Sequence, residues 1–345
     1  MKVHLNARNR AHHFNAARDE KLLYTGLSQA IDLPYECGSG TCGTCKARVI
    51  AGEVNDTWAE APGRKFLKNP DEILLCQCEA KSDLMLEVSS FVHVMDAGTC
   101  IPRSVRARVD RHRRLTHDVI SLAVQLEQPL DFDAGQFVMV KAPGVPGYRG
   151  WSMVNYERGT RTLEFVVKKK PGGGISTWLF EQDVGGSELD IFGPLGHATF
   201  YPNLGKHVLC IAGGSGIAGI MSILERAAQS EHFTHYRGDV YFGVRTMKDA
   251  FFLDELLALA QRCGDELRVT VALSDEEVPS SAAGERPLLR FEHGLVHEVA
   301  NRGMAGRYQN VRAYLAGPPP AVEASIRMLL QARVSTDNIR YDKFS

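Results

Sequence analysis

Three cysteines crowd the segment ECGSGTCGTCKA, as Cys37, Cys42 and Cys45, and a fourth, Cys76, follows in LLCQC. The C-x4-C-x2-C spacing is that of plant-type [2Fe–2S] ligation, in which four thiolates hold two irons. A gap of four residues followed by a gap of two is unlike the paired C-x2-C knuckles of a structural zinc ribbon. The intervening Gly38, Ser39, Gly40, Thr41, Gly43 and Thr44 are small. They let the chain wrap tightly, so that backbone N–H groups can donate to sulfur and stabilise the reduced, more negative state. Cys78 competes with Cys76 as fourth ligand. An extended strand points both to one face at different depths, and the reading favours Cys76. Cys100, Cys210 and Cys263 read as ordinary thiols.

A second constellation lies in YRGWSMVN, where Arg149, Trp151 and Ser152 form R-x-aromatic-S. Strand alternation places Arg149 and Trp151 on one face and Ser152 on the other. A guanidinium can pair with a pyrophosphate, an indole can pack on a ring, and a hydroxyl can bond a ring nitrogen. Downstream, KKKPGGGISTWLF runs from Gly172, Gly173 and Gly174 into a helix expected to start at Ser176, whose free N–H groups suit an anion. Either piece alone is weak. Together, in this order, they suggest a bound dinucleotide flavin.

A third constellation begins where the apolar run HVLCIA meets GGSGIAGI. Gly214, Gly216 and Gly219 fit G-x-G-x-x-G literally, but the next strand ends in FGVRT, with Arg245 where a dinucleotide fingerprint has an acidic residue. The fingerprint therefore does not apply. A glycine turn at the carboxyl edge of a parallel sheet is still where a phosphate or nicotinamide can approach the backbone. LAGPPP, Leu315 to Pro320, is a second rigid turn at that edge. The loop after VTVALS carries Asp275, Glu276 and Glu277, which would repel a 2′-phosphate, so NADH is expected over NADPH; Arg245 argues more weakly the other way.

These groups need three kinds of scaffold. At 345 residues, with 44% hydrophobic and 23% charged, the chain has the balance of two or three globular domains. Gly- and Cys-punctuated short apolar stretches fill residues 1–92, and residues 93–103 read as a connector. Alternating runs over 104–203 suggest antiparallel strands closing into a small barrel, and alternating strands and helices over 204–345 suggest an α/β domain with a parallel sheet. The net charge of -1 supplies no global field for nucleic acid or an anionic membrane. No apolar run approaches the ~20 residues of a membrane span, and Met1–Arg18 lacks the apolar centre of a signal peptide. Five of the eight cysteines fall between Cys37 and Cys78, which in a reducing compartment reads as metal binding; the cytoplasm is expected.

With these motifs in place, the chain resembles the reductase components of bacterial multicomponent oxygenases. LPYECGSGTCGTCKARVIAGEVND and LLCQCEAKSDLMLEV are most similar to the toluene and xylene monooxygenase branch. The resemblance implies a β-grasp ferredoxin domain with Cys37, Cys42, Cys45 and Cys76 as cluster ligands. It also implies FAD on a six-stranded antiparallel barrel and NADH on the α/β domain. Arg149 would hold the pyrophosphate, Ser152 would lie near flavin N5, and Gly173, Gly174, Ile175 and Ser176 would cover the phosphates; Trp151, Met153, Val166 and Lys168 complete that site. Gly214, Ser215, Gly216, Gly243, Arg245, Asp275, Gly317, Pro318 and Pro319 would form the nicotinamide-dinucleotide site. Phe344, in RYDKFS, would shield the flavin until nicotinamide displaces it, although a simply buried terminal phenylalanine fits nearly as well.

Three positions depart from the family pattern. Trp151 replaces a tyrosine, Gly219 replaces a proline and should loosen the start of its helix, and Ala316 replaces a cysteine near the nicotinamide. The implied activity is electron transfer from NADH through FAD and the cluster to an oxygenase component or its Rieske-type ferredoxin, by a small transient contact. Two other functions suit the same sequence: the same relay serving a sugar-deoxygenating dehydrase, and a redox sensor without turnover. Direct hydroxylation by this chain is not expected, because neither a 2-His-1-carboxylate set nor a haem motif is present.

Overall fold

The computed structural model describes residues 1–343, with only the backbone of Ala283 and Glu285. The N-terminal part contains β1 (Lys2–Asn6), β2 (Ala11–Asn15), α1 (Leu22–Ser28), β3 (Ile31–Asp32), β4 (Lys46–Ala51), β5 (Val54–Asp56), β6 (Glu72–Leu74), β7 (Cys78–Ala80), β8 (Leu84–Glu87) and β9 (His93–Val94). Alternation builds the first strands: Val3, Leu5, His12 and Phe14 point inward while their neighbours do not. The main sheet runs β2-β1-β8-β4-β6, with β1 and β8 parallel and α1 buried along almost its whole length, which is a β-grasp arrangement. Within the expected connector, β9 pairs antiparallel with β3.

The middle part contains β10 (Arg103–Arg114), β11 (Val119–Leu130), β12 (Phe137–Lys141), β13 (Arg149–Ser152), β14 (Thr160–Lys168), α2 (Gly174–Glu181) and β15 (Glu188–Leu195). In β10, Val105, Ala107 and Val109 face the core while Arg106 and Arg108 face solvent. The six strands form one antiparallel sheet in the order β13-β12-β15-β10-β11-β14. The sheet curls until its terminal strands β13 and β14 meet, but no hydrogen-bond ladder joins them among the described residues. That seam is where a ligand can reach the barrel wall.

The last part alternates β16 (His207–Gly213), α3 (Ile217–Gln229), β17 (Gly238–Val244), α4 (Leu253–Cys263), β18 (Leu267–Leu273), α5 (Ala282–Glu285), β19 (Leu289–His293), α6 (Val296–Gly303), β20 (Val311–Gly317), α7 (Pro319–Gln331) and β21 (Ile339–Lys343). All six strands are parallel, in the order β19-β18-β17-β16-β20-β21. Helices cover both faces, which is why the run Val208–Ala212 is buried throughout. No helix among the described residues is long and apolar enough to cross a membrane.

One hydrophobic core runs from the N-terminal domain into the barrel, where Phe137, Met139, Phe192 and Leu195 pack with residues of the β-grasp sheet and α1. The Tyr24 ring stacks on Phe192, with centroids 4.3 Å apart and planes 13° apart, and meets Tyr148 edge-on. Its hydroxyl donates to the Gly38 carbonyl at 3.0 Å, and the Tyr35 hydroxyl accepts the Gly196 N–H at 2.9 Å. The Phe192→Ala variant should lose about 3–5 kcal/mol, the range for truncating a buried aromatic side chain. Thermal unfolding of the full chain followed by circular dichroism checks this, with the N-terminal domain and the barrel both affected.

Candidate functional site

The cluster loop follows β3 and is wound by glycines. Gly43 has φ +77, and a side chain there would run into the Phe66 ring. The winding turns backbone donors inward: the N–H groups of Ser39, Thr41 and Cys42 each approach Cys37 Sγ at 3.4 Å, and those of Cys37 and Thr44 approach Cys42 Sγ at 3.5 Å. The Cys42 side chain, then the Thr41 side chain and the Ser39 and Thr41 N–H groups, pull the Cys37 thiol well below its ordinary value against the effect of burial. Cys45 and Cys76 are buried with their sulfurs 3.3 Å apart, and the Gln77 amide reaches Cys76 Sγ at 3.5 Å. Cys78 lies on β7 opposite Asp56, and burial pushes its thiol up to about 12. Among the described residues no two cysteines are joined in a disulfide. Paired sulfurs ringed by N–H donors fit an anionic iron–sulfur cluster and give no reason for a disulfide.

At the β13–β14 seam a cavity of about 270 Å3 is lined by Arg149, Trp151, Ser152, Val166, Lys168, Gly173, Ile175, Ser176 and Ser215 of the expected residues. Trp151 is buried, its indole 5.4 Å from the Phe165 ring. Helix α2 begins at Gly174, two residues before the expected start. Ser176 is therefore inside the helix, where its hydroxyl donates to the Lys170 or Gly173 carbonyl at 2.9 Å and receives the Lys170 N–H at 3.1 Å. The hydroxyl shapes the loop, and the unpaired N–H groups of the first helical turn supply the anion site. Arg149, Lys168 and Lys170 add positive charge, so the donor set fits a pyrophosphate-bearing flavin. Met153 is in the barrel core, and Gly174 packs toward Val145; neither lines the cavity. The same cavity is bounded by Ser39 and Thr41, two of the residues whose N–H groups reach Cys37 Sγ, and by Trp58.

Ser152 has a partner that sequence reasoning missed. Its hydroxyl reaches Asp342 Oδ2 at 3.5 Å, across 190 positions of chain. Loss of solvation, then the nearby Glu36 carboxylate, pushes Asp342 up to about 7, and the serine hydrogen bond only partly offsets this. Asp342 stands in the very RYDKFS segment singled out for Phe344, two residues before it. Phe344 itself lies outside the described residues. Asp342 also lines a larger interdomain cleft, about 1060 Å3, with Tyr35, Glu36, Gln136, His197 and Arg340; none of the expected cofactor residues lines that cleft.

The expected nicotinamide residues lie along the carboxyl edge of the parallel sheet. Gly214, Ser215 and Gly216 form a short 3-10 turn between β16 and α3. A side chain on Gly216 would come within 2.5 Å of the Ala316 carbonyl, so glycine lets this turn lie against the end of β20. There Gly317 is followed by Pro318, the cap of α7, and Pro319, its first residue, with Ala316 buried beneath. Gly219 sits inside α3 next to Gly135 and Ser152, which brings the helix close to the barrel; the Ser222 hydroxyl accepts the Gly135 N–H at 2.8 Å. Helix α3 begins at Ile217, and Gly219 is buried in its first turn. Gly243 is the penultimate residue of β17 and Arg245 follows its end, where the Asp275 N–H donates to the Arg245 carbonyl at 2.9 Å. All three acidic residues have neighbours: Glu276 accepts the Met247 N–H at 2.8 Å, Asp275 accepts the Ser274 hydroxyl at 2.6 Å, and Glu277 lies 3.9 Å from His293 Nδ1. Only Ser215 of this group reaches the flavin-side cavity.

Comparison with known proteins agrees with this geometry. Residues 5–81 match the 2Fe-2S iron-sulfur cluster binding domain, 106–200 the oxidoreductase FAD-binding domain, and 210–327 the oxidoreductase NAD-binding domain. The chain is 35% identical to the ferredoxin–NAD(P)(+) reductase CarAd of Metapseudomonas resinovorans, over 94% of each chain. It is 30% identical to the xylene/toluene monooxygenase electron transfer component XylA of Pseudomonas putida, over 99% of this chain and 93% of the other. The solved ferredoxin reductase of carbazole 1,9a-dioxygenase superposes with a TM-score of 0.84 at 33% identity, covering 100% of this chain and 99% of that one. The chain belongs to the ferredoxin–NAD(P)+ reductase components of multicomponent oxygenase systems, with a 2Fe–2S domain, an FAD-binding domain and an NAD-binding domain.

Proposed function

We propose that this chain oxidises NADH in the cytoplasm and passes the electrons, by way of FAD and a [2Fe–2S] cluster, to an oxygenase component or its Rieske-type ferredoxin. The observation that carries the reading is a shared wall: Ser39 and Thr41, donors to Cys37 Sγ, also line the cavity of Arg149, Trp151 and Ser152. When bound, FAD and the cluster supply the electron-carrying chemistry, a two-electron acceptor next to a one-electron carrier.

The protein's own residues position and balance charge. Cys37, Cys42, Cys45 and Cys76 are the assigned cluster ligands, and the N–H groups on Cys37 and Cys42 favour added negative charge. Arg149 and the start of α2 would hold the pyrophosphate, and Lys168 lies at the same cavity. Trp151 and Val166 would wall the ring, and Ser152, backed by Asp342, would offer it a hydroxyl–carboxyl pair able to hold or move a proton. Gly214–Gly216 and Gly317–Pro319 leave bare backbone for the nicotinamide, a step governed by positioning. Asp275 and the exposed Glu277 oppose a 2′-phosphate near Arg245, which supports NADH.

Anaerobic titration of the purified protein with NADH, followed by absorption, tests the reading: flavin and iron–sulfur bands should both bleach, and NADPH should act more slowly at equal concentration. A colourless zinc protein, or a flavoprotein that reacts with NADH without turnover to an artificial acceptor, contradicts it. In the same assay Cys76→Ser should lose the iron–sulfur bands, whereas Cys78→Ser should keep them.

Asp342 gives a pH signature. Its folded value lies above that of an exposed carboxyl group, so the folded state binds the proton more tightly. The stability this provides is complete below about pH 4 and is lost as pH rises to about 7. Asp342→Asn should therefore show a flatter dependence of unfolding temperature between pH 5 and 8 than the native chain, as thermal scans across that range would show.

A further inference from the structure

We infer that the flavin site is built by two domains, with Trp58 of the cluster-binding domain serving as the positioning residue for Arg149. The inference rests on the assignment of the seam cavity to the flavin. Trp58 lies between β5 and the cluster ligand Cys76 in sequence, far from the segment that matches the FAD-binding domain. It nevertheless lines the same cavity as Arg149, Trp151 and Ser176.

The Arg149 guanidinium carbon stands 6.0 Å from the centroid of the Trp58 ring, within the range of a cation–π contact. One of its amino groups donates to the Tyr148 carbonyl at 2.9 Å, and no carboxylate pairs with it among the described residues. A guanidinium carries five N–H donors in a fixed planar fork. With an indole beside it and a carbonyl on one corner, the fork is held in one orientation, and its remaining donors stay free for an anion. That is the arrangement a pyrophosphate needs, and half of it comes from outside the barrel.

Trp58 is fixed rather than loose. Its backbone N–H donates to Asp56 Oδ1 at 3.0 Å, its carbonyl accepts the Ala61 N–H at 3.1 Å, and Asp56 is paired with Arg64. The half-buried indole packs against the core of its own domain and meets Arg149 of the barrel. Because binding linkage is reciprocal, affinity that the flavin gains from Trp58 also tightens the docking of the cluster-binding domain.

The experiment measures FAD dissociation constants of the full-length protein by flavin fluorescence, with the cluster monitored by visible circular dichroism. Trp58→Leu keeps an apolar side chain on its own domain but removes the aromatic face. It should weaken FAD binding about tenfold with the cluster signal unchanged, and Trp58→Phe should restore most of the affinity. Arg149→Ala should weaken binding further, and adding Trp58→Leu to it should change little, since the tryptophan acts through the arginine. Native affinity in Trp58→Leu beside a loss in Arg149→Ala overturns the two-domain inference and leaves the site assignment standing. Native affinity in both variants overturns the site assignment and the inference with it. Equal losses from Trp58→Leu in the presence and absence of Arg149 overturn the positioning role.

Discussion

Electron transfer between two carriers falls off steeply with distance, so the packing of the 36–45 loop against the barrel constrains the rest of the molecule. Tyr24 is the centre of that packing. Its ring stacks on Phe192 of the barrel while its hydroxyl holds the Gly38 carbonyl, so one side chain ties the cluster loop to the flavin-side domain. Gly38 itself lies against Met139, where a side chain would come within 3.0 Å of the sulfur. Domains in one chain move relative to each other by default unless a large hydrophobic interface joins them. Here the apolar core passes from one domain into the other without a break.

The other contacts serve the same constraint from the opposite side. The barrel leaves its β13–β14 edge without a ladder, and the cavity opens along that seam. Helix α3 of the NAD-binding domain closes on it: Ser222 takes the Gly135 N–H, and the bare backbone of Gly219 faces Ser152. β21 then brings Asp342 to the Ser152 hydroxyl. Three domains thus converge on one short strand, Arg149–Ser152, with a different element responsible for each approach.

The parts of this arrangement that were legible in the sequence are those written within a few residues of one another. C-x4-C-x2-C, R-x-W-S, the glycine run and G-P-P-P each announce a local geometry, and the change from alternating to continuous apolar runs marks where the antiparallel sheet gives way to the parallel one. The glycine run suggests a helix start at Ser176, two residues after the observed start at Gly174, and the Ser176 hydroxyl turns back to the Lys170 and Gly173 carbonyls. The Ser152–Asp342 and Arg149–Trp58 contacts carry no local signal at all. Each joins distant segments, and each exists only once whole domains have packed.

The most direct test of the central claim, that cluster and flavin are held together within one molecule, is anaerobic stopped-flow reduction by NADH over a range of protein concentrations, with flavin and iron–sulfur absorbance followed separately. The account predicts cluster bleaching after flavin bleaching at a rate independent of protein concentration. A cluster rate that rises in proportion to concentration, as for encounters between separate molecules, would contradict it.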